Sequence, residues 1–240
     1  MALEQVQCIV QEAFSVHLWN LFLVLGFLAG LAVLIFEGKR EGVPGKELGR
    51  LFLWIVLGAV LGMRLFYLFF FKPSSGWNLQ GFIHCGNASM GAFIGVILAI
   101  ILASRLAKRD FWEYADISAL GVSLAAVFVK LGCHLANCCC SVGKQTSLPW
   151  AVVQQGAGHH PTALYAIIYN SVIFLVLWSL RKRKLFSGFL FLLFLILYSS
   201  CRLLFENFYR VDIGLYYQFL PLTLLIPAAV LMWYKARKTG

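Results

Sequence analysis

Seven apolar stretches, each about 20 residues long, constrain this chain more than any other feature it has. They run approximately Val16–Phe36, Leu48–Phe71, Met90–Ala107, Trp112–Ala136, Thr162–Leu180, Leu185–Phe208 and Leu215–Tyr234. Stretches of that length and polarity predict membrane-spanning helices, and the expected fold class is all-α: a polytopic integral membrane helix bundle of seven transmembrane helices. Composition agrees, because 61% of the 240 residues are hydrophobic and only 12% are charged, which excludes a soluble domain. Gly26/Gly30, Gly58/Gly62 and Gly91/Gly95 each give the small-xxx-small spacing that lets helices approach closely. No repeat, linker or low-complexity tail divides the sequence, so one domain over residues 1–240 is expected. The opening MALEQVQCIVQEAF lacks the basic region and small-residue cleavage site of a signal peptide, and no cleaved leader is expected.

The net charge of +10 does not point to nucleic acid. The basic residues sit in short loops, where they determine topology, and no aromatic-interleaved basic patch, Walker loop or Rossmann fingerprint is present. The first, third and fifth connections and the C-terminal tail carry fourteen Lys and Arg residues, from Lys39 to Lys238. The N-terminal segment and the other three connections carry only Lys72, Lys144 and Arg210. This alternation places the N-terminus outside and the C-terminus in the cytoplasm.

Orientation gives the reactive residues a depth. His17, His84, His134, His159 and His160 all fall at the outer end, as do Cys8, Cys85, Cys138, Cys139 and Cys140. Arg64 lies fourteen residues past Arg50, roughly 21 Å along a helix, and so reaches the outer half of its span. Lys130, Arg202 and Glu206 lie near the outer ends of the fourth and sixth spans. Ionisable residues inside a membrane are costly and normally face a protein interior or a wet cavity.

Three constellations follow. Lys130, His134 and Asn137 share one helical face at i, i+4, i+7, with Cys133 beside them and Cys138 one turn beyond His134. Tyr198, Arg202 and Glu206 form an i, i+4, i+8 stripe, and Tyr67 sits near Arg64. Arginine suits phosphate because its fork can bond two oxygens at once, so Arg64, Lys130, Arg202 and neighbouring Arg210 suit an anionic group at headgroup depth. The plain structural alternative is an Arg202–Glu206 ion pair. Third, Gly158-His159-His160-Pro161-Thr162 predicts a helix start with proline at its first position and histidine at or before the cap. Such a terminus favours an anion, while the histidine could accept a proton or simply cap the helix.

Four segments together resemble the prolipoprotein diacylglyceryl transferase family: Leu61-Gly62-Met63-Arg64-Leu65-Phe66-Tyr67, the stretch Lys130–Gly143, His160-Pro161-Thr162-Ala163-Leu164-Tyr165, and Tyr198-Ser199-Ser200-Cys201-Arg202 through Glu206. The resemblance covers the chain from about Trp19 to the last span. It implies a seven-span bacterial inner-membrane transferase, its site open to the outer leaflet and without a cofactor. Such an enzyme moves the diacylglyceryl group of phosphatidylglycerol to a lipobox cysteine thiol and releases glycerol phosphate. Its partners are then the phospholipid, a prolipoprotein or other thiol acceptor, and the membrane. On this reading Arg64, Tyr67, Lys130, His134, Asn137, Tyr198 and Arg210 bind substrate, and Arg202 holds the phosphate with Glu206 orienting it. His160 accepts the thiol proton, with His84 in reserve. Two departures stand out: the family's histidine-glycine-glycine motif aligns with Met90-Gly91-Ala92, and an arginine of the fourth-span motif is Lys130.

Two other readings stay open. Cys133, His134, Cys138, Cys139 and Cys140 form a cysteine-rich set of soft ligands for zinc or copper(I), or for disulfide exchange, although no C-x-x-C is present. A non-catalytic lipid-binding relative would keep the anion pocket and lack the base, as Met90 suggests.

Overall fold

The computed structural model describes residues 2–71, 89–136, 143–154, 156–206 and 219–239. Along the chain these form α1 (Ala2–Arg40), α2 (Gly45–Phe71), α3 (Ser89–Ala107), α4 (Phe111–Leu135), β1 (Val152–Gln154), β2 (Ala157–His159), α5 (Thr162–Leu180), α6 (Phe189–Cys201) and α7 (Leu222–Thr239). A π-helical turn, Arg202–Glu206, continues α6. Five helical segments are long and apolar enough to cross a membrane: His17–Arg40, Gly45–Phe69, Met90–Ala107, Phe111–Leu135 and Thr162–Leu180. Phe189–Phe205 forms a shorter apolar helix. The chain is therefore an all-α, multi-pass membrane protein. Its spans match the first five apolar stretches closely, because burying backbone polar groups in hydrocarbon leaves an apolar run little alternative to a helix. The sixth stretch begins later than expected. Gly188 takes a left-handed conformation (φ 94°) before Phe189 and sets the helix start.

The chain divides into two compact units, Leu34–Ser118 and Met1–Val33 with Ala119–Gly240. In the first, α2 and α3 run antiparallel with their backbones in contact. A Cβ added at Gly58 or Gly62 would overlap the carbonyl oxygens of Gly95 or Gly91 respectively, and the reverse additions clash in the same way. Both glycine pairs anticipated from their spacing thus form a single seam, where dispersion between backbones replaces side-chain packing.

The ends of this unit's helices are capped by the chain itself. After α1, Val43 N–H bonds the Gly38 carbonyl at 2.8 Å and Gly42 N–H bonds that of Lys39 at 3.1 Å. Gly42 supplies the left-handed residue (φ 80°) that this motif requires. After α3 the same motif recurs with Arg109 N–H on the Ser104 carbonyl at 3.0 Å, but Lys108 takes the left-handed position (φ 54°). The polar groups at these turns pair with one another. Arg40 meets Glu37 at 2.8 Å and Glu41 at 2.6 Å, and the Glu47 carboxylate accepts from Arg109 Nε at 3.2 Å and Tyr114 OH at 3.0 Å.

In the second unit, α1 lies against α4. A Cβ at Gly26 would stand 3.1 Å from the Ala125 carbonyl oxygen, and one at Gly30 3.0 Å from that of Gly121. At the other end of the chain, Lys235 of α7 donates to the Ser187 carbonyl at 2.7 Å and lies over the Phe186 ring. Two short strands depart from pure helix. β1 and β2 pair antiparallel, with Val152 opposite His159 and Gln154 opposite Ala157. On the far side of β2, Gln145 bridges to His159 and Thr146 N–H bonds the Gly158 carbonyl at 2.9 Å.

Candidate active site

The hairpin leads into the His159–His160 constellation. Gly143 N–H bonds the His160 carbonyl at 2.8 Å, and His160 N–H bonds that of Lys144 at 3.0 Å. These bonds hold residue 160 against the incoming chain before α5 begins. Pro161 is the N-cap of α5, one residue earlier than its expected first-turn place, and it bears no side-chain cap. His160 Nδ1 stands 3.1 Å from the Tyr165 hydroxyl, so the first and last residues of the HPTxLY segment are joined across the first turn of the helix. Trp150 Nε1 donates to that same hydroxyl at 3.0 Å. His159, by contrast, turns its Nδ1 to the Gly143 carbonyl at 2.8 Å and helps hold the loop.

The Tyr198–Arg202 part of the stripe is borne out. Arg202 is only 3% exposed, and its Nη1 donates to the Tyr198 hydroxyl at 3.1 Å. Tyr169 of α5 packs edge-on against Tyr198 with ring centroids 6.2 Å apart, and it stacks with Phe205 at 6.3 Å. Aromatic rings thus pack around the tyrosine that receives the Arg202 hydrogen bond, and the guanidinium itself is buried, a low-dielectric setting that strengthens its pull on an anion. At Arg202 the α-helix widens into the π turn, so the stripe's further step follows i→i+5 rather than i→i+4 geometry. Such turns are frequent at functional sites. The side chain of Glu206 lies outside the described residues.

Helix α4 carries Lys130, Cys133 and His134 in one continuous run to its end at Leu135, all three half-buried. Arg64 and Tyr67 are half-buried on α2, in the unit Leu34–Ser118. Met90, which the resemblance aligns with the family's histidine, is 1% exposed at the start of α3. The glycine that follows it lies in the α2–α3 seam. His84, Asn137, Cys138, Cys139, Cys140 and Arg210 lie outside the described residues. Among the described residues no three His, Cys, Asp or Glu side chains gather as metal ligands. Seven cysteines in 240 residues do not make the chain cysteine-rich, which corrects that expectation.

Sequence reasoning missed Trp150 and Tyr169. Trp150 is reached only once the hairpin has folded. Tyr169 stood in an apolar helix with nothing in its spacing to separate it from core.

A multi-pass helical membrane protein with a buried arginine–tyrosine pair and a hydrogen-bonded histidine at a helix start is equipped to handle an anionic lipid group. Comparison with known proteins narrows this class. Residues 7–234 match the prolipoprotein diacylglyceryl transferase family, and the chain belongs to it. Among its relatives, a protein of Wolinella succinogenes named phosphatidylglycerol–prolipoprotein diacylglyceryl transferase is 30% identical over 248 residues, spanning 93% of this chain and 90% of the relative. Proteins of the same name from Aliarcobacter butzleri and Campylobacter curvus are 31% and 28% identical, over 82% and 92% of this chain and 78% and 87% of theirs.

Proposed function

We propose that this chain transfers the diacylglyceryl group of phosphatidylglycerol to the thiol of a prolipoprotein cysteine. The observation that carries the reading is the buried Arg202–Tyr198 pair, in a chain that matches the transferase family over nearly its whole length. In the reaction a thiolate sulfur bonds to the terminal carbon of the diacylglyceryl group. The bond from that carbon to the phosphate oxygen breaks, and glycerol phosphate departs with the electron pair. Charge grows on the phosphate, where a preorganised guanidinium is most effective. Arg202 holds that phosphate, with Tyr198 fixing the guanidinium from one side and Glu206 orienting it from the next turn. Lys130 and Arg210 add positive charge, which also favours the thiolate form of an incoming cysteine. Tyr67, His134 and Asn137 contact the remaining polar headgroup. Arg64 is a further phosphate ligand on the argument of its depth. His160 works at the same site, and His84 stands in reserve as an acceptor of the thiol proton.

The proposed setting is the bacterial inner membrane, crossed seven times by one domain, with the N-terminus and the site outside and the C-terminus in the cytoplasm. Alternation of Lys and Arg between connections supports it. A second reading has one observation in its favour. Met90 is buried where the family carries a histidine, as expected of a lipid-binding relative that has lost a base. Purified protein given phosphatidylglycerol and a lipobox peptide separates the two. The transferase releases glycerol phosphate and adds a diacylglyceryl mass to the peptide, whereas the lipid-binding relative retains lipid and does neither.

A further inference from the structure

Helices α5 and α6 pack against each other on either side of the turn between Arg181 and Gly188. Asn170 lies eleven residues before Arg181, and Ser199 lies eleven residues after Gly188. The two therefore stand level, roughly 16 Å along their helices from the turn. Their neighbours Tyr169 and Tyr198 are in ring contact. Asn170 is 0% exposed and Ser199 1%. The Asn170 amide has one orientation, because its Nδ2 donates at 2.7 Å to the Ala166 carbonyl, which can only accept. Its Oδ1 is thus directed elsewhere, and it finds no hydrogen-bond partner among the described residues. Neither does the Ser199 hydroxyl. Ser104, Ser118, Ser123 and Ser179 behave differently, each donating to a carbonyl three or four residues back in its own helix. A buried acceptor without a donor is costly, and here two such oxygens share one level of one interface.

We propose that Asn170 and Ser199 recognise the hydroxyls of the phospholipid headgroup, and so select a hydroxylated anionic lipid over one whose headgroup cannot donate. This rests on the transferase reading and names the residues that set its lipid specificity. The chemistry is complementary. An amide oxygen can only accept, and the only hydrogen-bond donors in phosphatidylglycerol are its headgroup hydroxyls. Those hydroxyls stand a few bonds from the phosphorus. Ser199 precedes Arg202 by three residues, about 4.5 Å along the helix, so a phosphate held at Arg202 brings them to the level of Asn170 and Ser199. The headgroup then enters the bundle interior to the same degree as its phosphate, since Arg202 is itself only 3% exposed. One hydroxyl donates to Asn170 Oδ1, and Ser199, which can donate or accept, pairs with the same headgroup.

The test offers the full chain in detergent a lipobox peptide with either phosphatidylglycerol or phosphatidylpropanol, which keeps the anionic phosphodiester and lacks the hydroxyls. The readout is the diacylglyceryl mass added to the peptide, expressed as the ratio of kcat/KM for the two lipids. Wild type should favour phosphatidylglycerol by about tenfold or more, because a site built to bond a hydroxyl rejects the analogue without it. Asn170→Leu should lower turnover of phosphatidylglycerol far more than that of phosphatidylpropanol, drawing the ratio close to one. Ser199→Ala should narrow the ratio several-fold, and Ser199→Thr, which keeps the hydroxyl, should retain most of it. Arg202→Gln should slow both lipids alike, since both carry the phosphate. A wild-type ratio near one overturns the proposal, and so do Asn170→Leu and Ser199→Ala variants that lose both lipids in equal proportion. A wild-type chain that modifies the peptide with neither lipid sinks the transferase reading instead. Retention of phosphatidylglycerol over phosphatidylpropanol by the purified chain, and its loss in Asn170→Leu, then decide the headgroup site alone.

Discussion

Arg202 carries the sharpest expectation at the scale of single residues. A guanidinium that is 3% exposed in a membrane helix, with its Nη1 on the Tyr198 hydroxyl, sits where a charge is costly unless it serves a purpose. Arg202→Gln keeps length and hydrogen bonding but removes the charge and the fork. It should cost about 2–4 kcal/mol in the transition state, or roughly 30- to 1,000-fold in glycerol phosphate release at matched monodispersity. Arg202→Lys should recover only part, because a point charge cannot reproduce a two-oxygen contact. Tyr198→Phe removes one neutral hydrogen bond, about 1 kcal/mol, and should slow the reaction by only about fivefold. Unchanged turnover in Arg202→Gln removes that residue from the site, and unchanged turnover in Arg64→Gln as well ends the phosphate-site reading. The Tyr198–Arg202 contact was legible beforehand because i, i+4 spacing makes neighbours on any helix. Trp150 and Tyr165 were not, since they are fifteen residues apart and meet only through the hairpin and the turn at Pro161.

At the scale of elements, the glycines show what spacing does and does not reveal. Gly58/Gly62 and Gly91/Gly95 predicted close approach, and the structure makes them partners in one seam; the pattern could not say that they face each other. Gly49 is also on α2, yet a Cβ added there meets nothing within 4 Å. The two positions should respond oppositely to alanine. Gly49→Ala removes backbone freedom from a helix and should stabilise by about 0.5–1 kcal/mol. Gly95→Ala drives a methyl group into the Gly58 carbonyl and should destabilise by about 1–3 kcal/mol, the usual cost of overpacking. Thermal unfolding in one detergent compares them, and equal shifts would deny the seam its role. The turn after α3 gives an independent test. Lys108 sits at φ 54°, where a Cβ is strained, so Lys108→Gly should raise the melting temperature by a degree or more, on the order of 0.5–1 kcal/mol. This turn was not legible in the sequence, which has glycine after α1 and lysine in the equivalent place after α3.

At the scale of the whole molecule, the helices and their orientation rest on different physics. Helices follow from the hydrocarbon's demand for internal hydrogen bonding, and five spans match the apolar runs for that reason. The last apolar run was harder to delimit, because Pro227 lies inside α7 and Lys235, Arg237 and Lys238 crowd its end. Orientation depends instead on which connections resist translocation, and the fourteen-to-three division of Lys and Arg argues that the N-terminus lies outside. Fusions ending after Glu41, at the turn that closes α1, should therefore report a cytoplasmic location, and so should a C-terminal fusion. A reporter inserted beside Gly156 should read as external. That position suits insertion because Gly156 is exposed in the turn between β1 and β2, with φ 78° and nothing within 4 Å of where a Cβ would stand. The hairpin turn leads directly to His160, so on the proposed function its side of the membrane is also the side from which a prolipoprotein cysteine would approach that ring. An enzyme that acts on exported proteins needs this side to be outside. A cytoplasmic signal at Gly156, with an external one after Glu41, would place His160 on the wrong face and remove the acceptor from its reach, whatever the Arg202 variants showed.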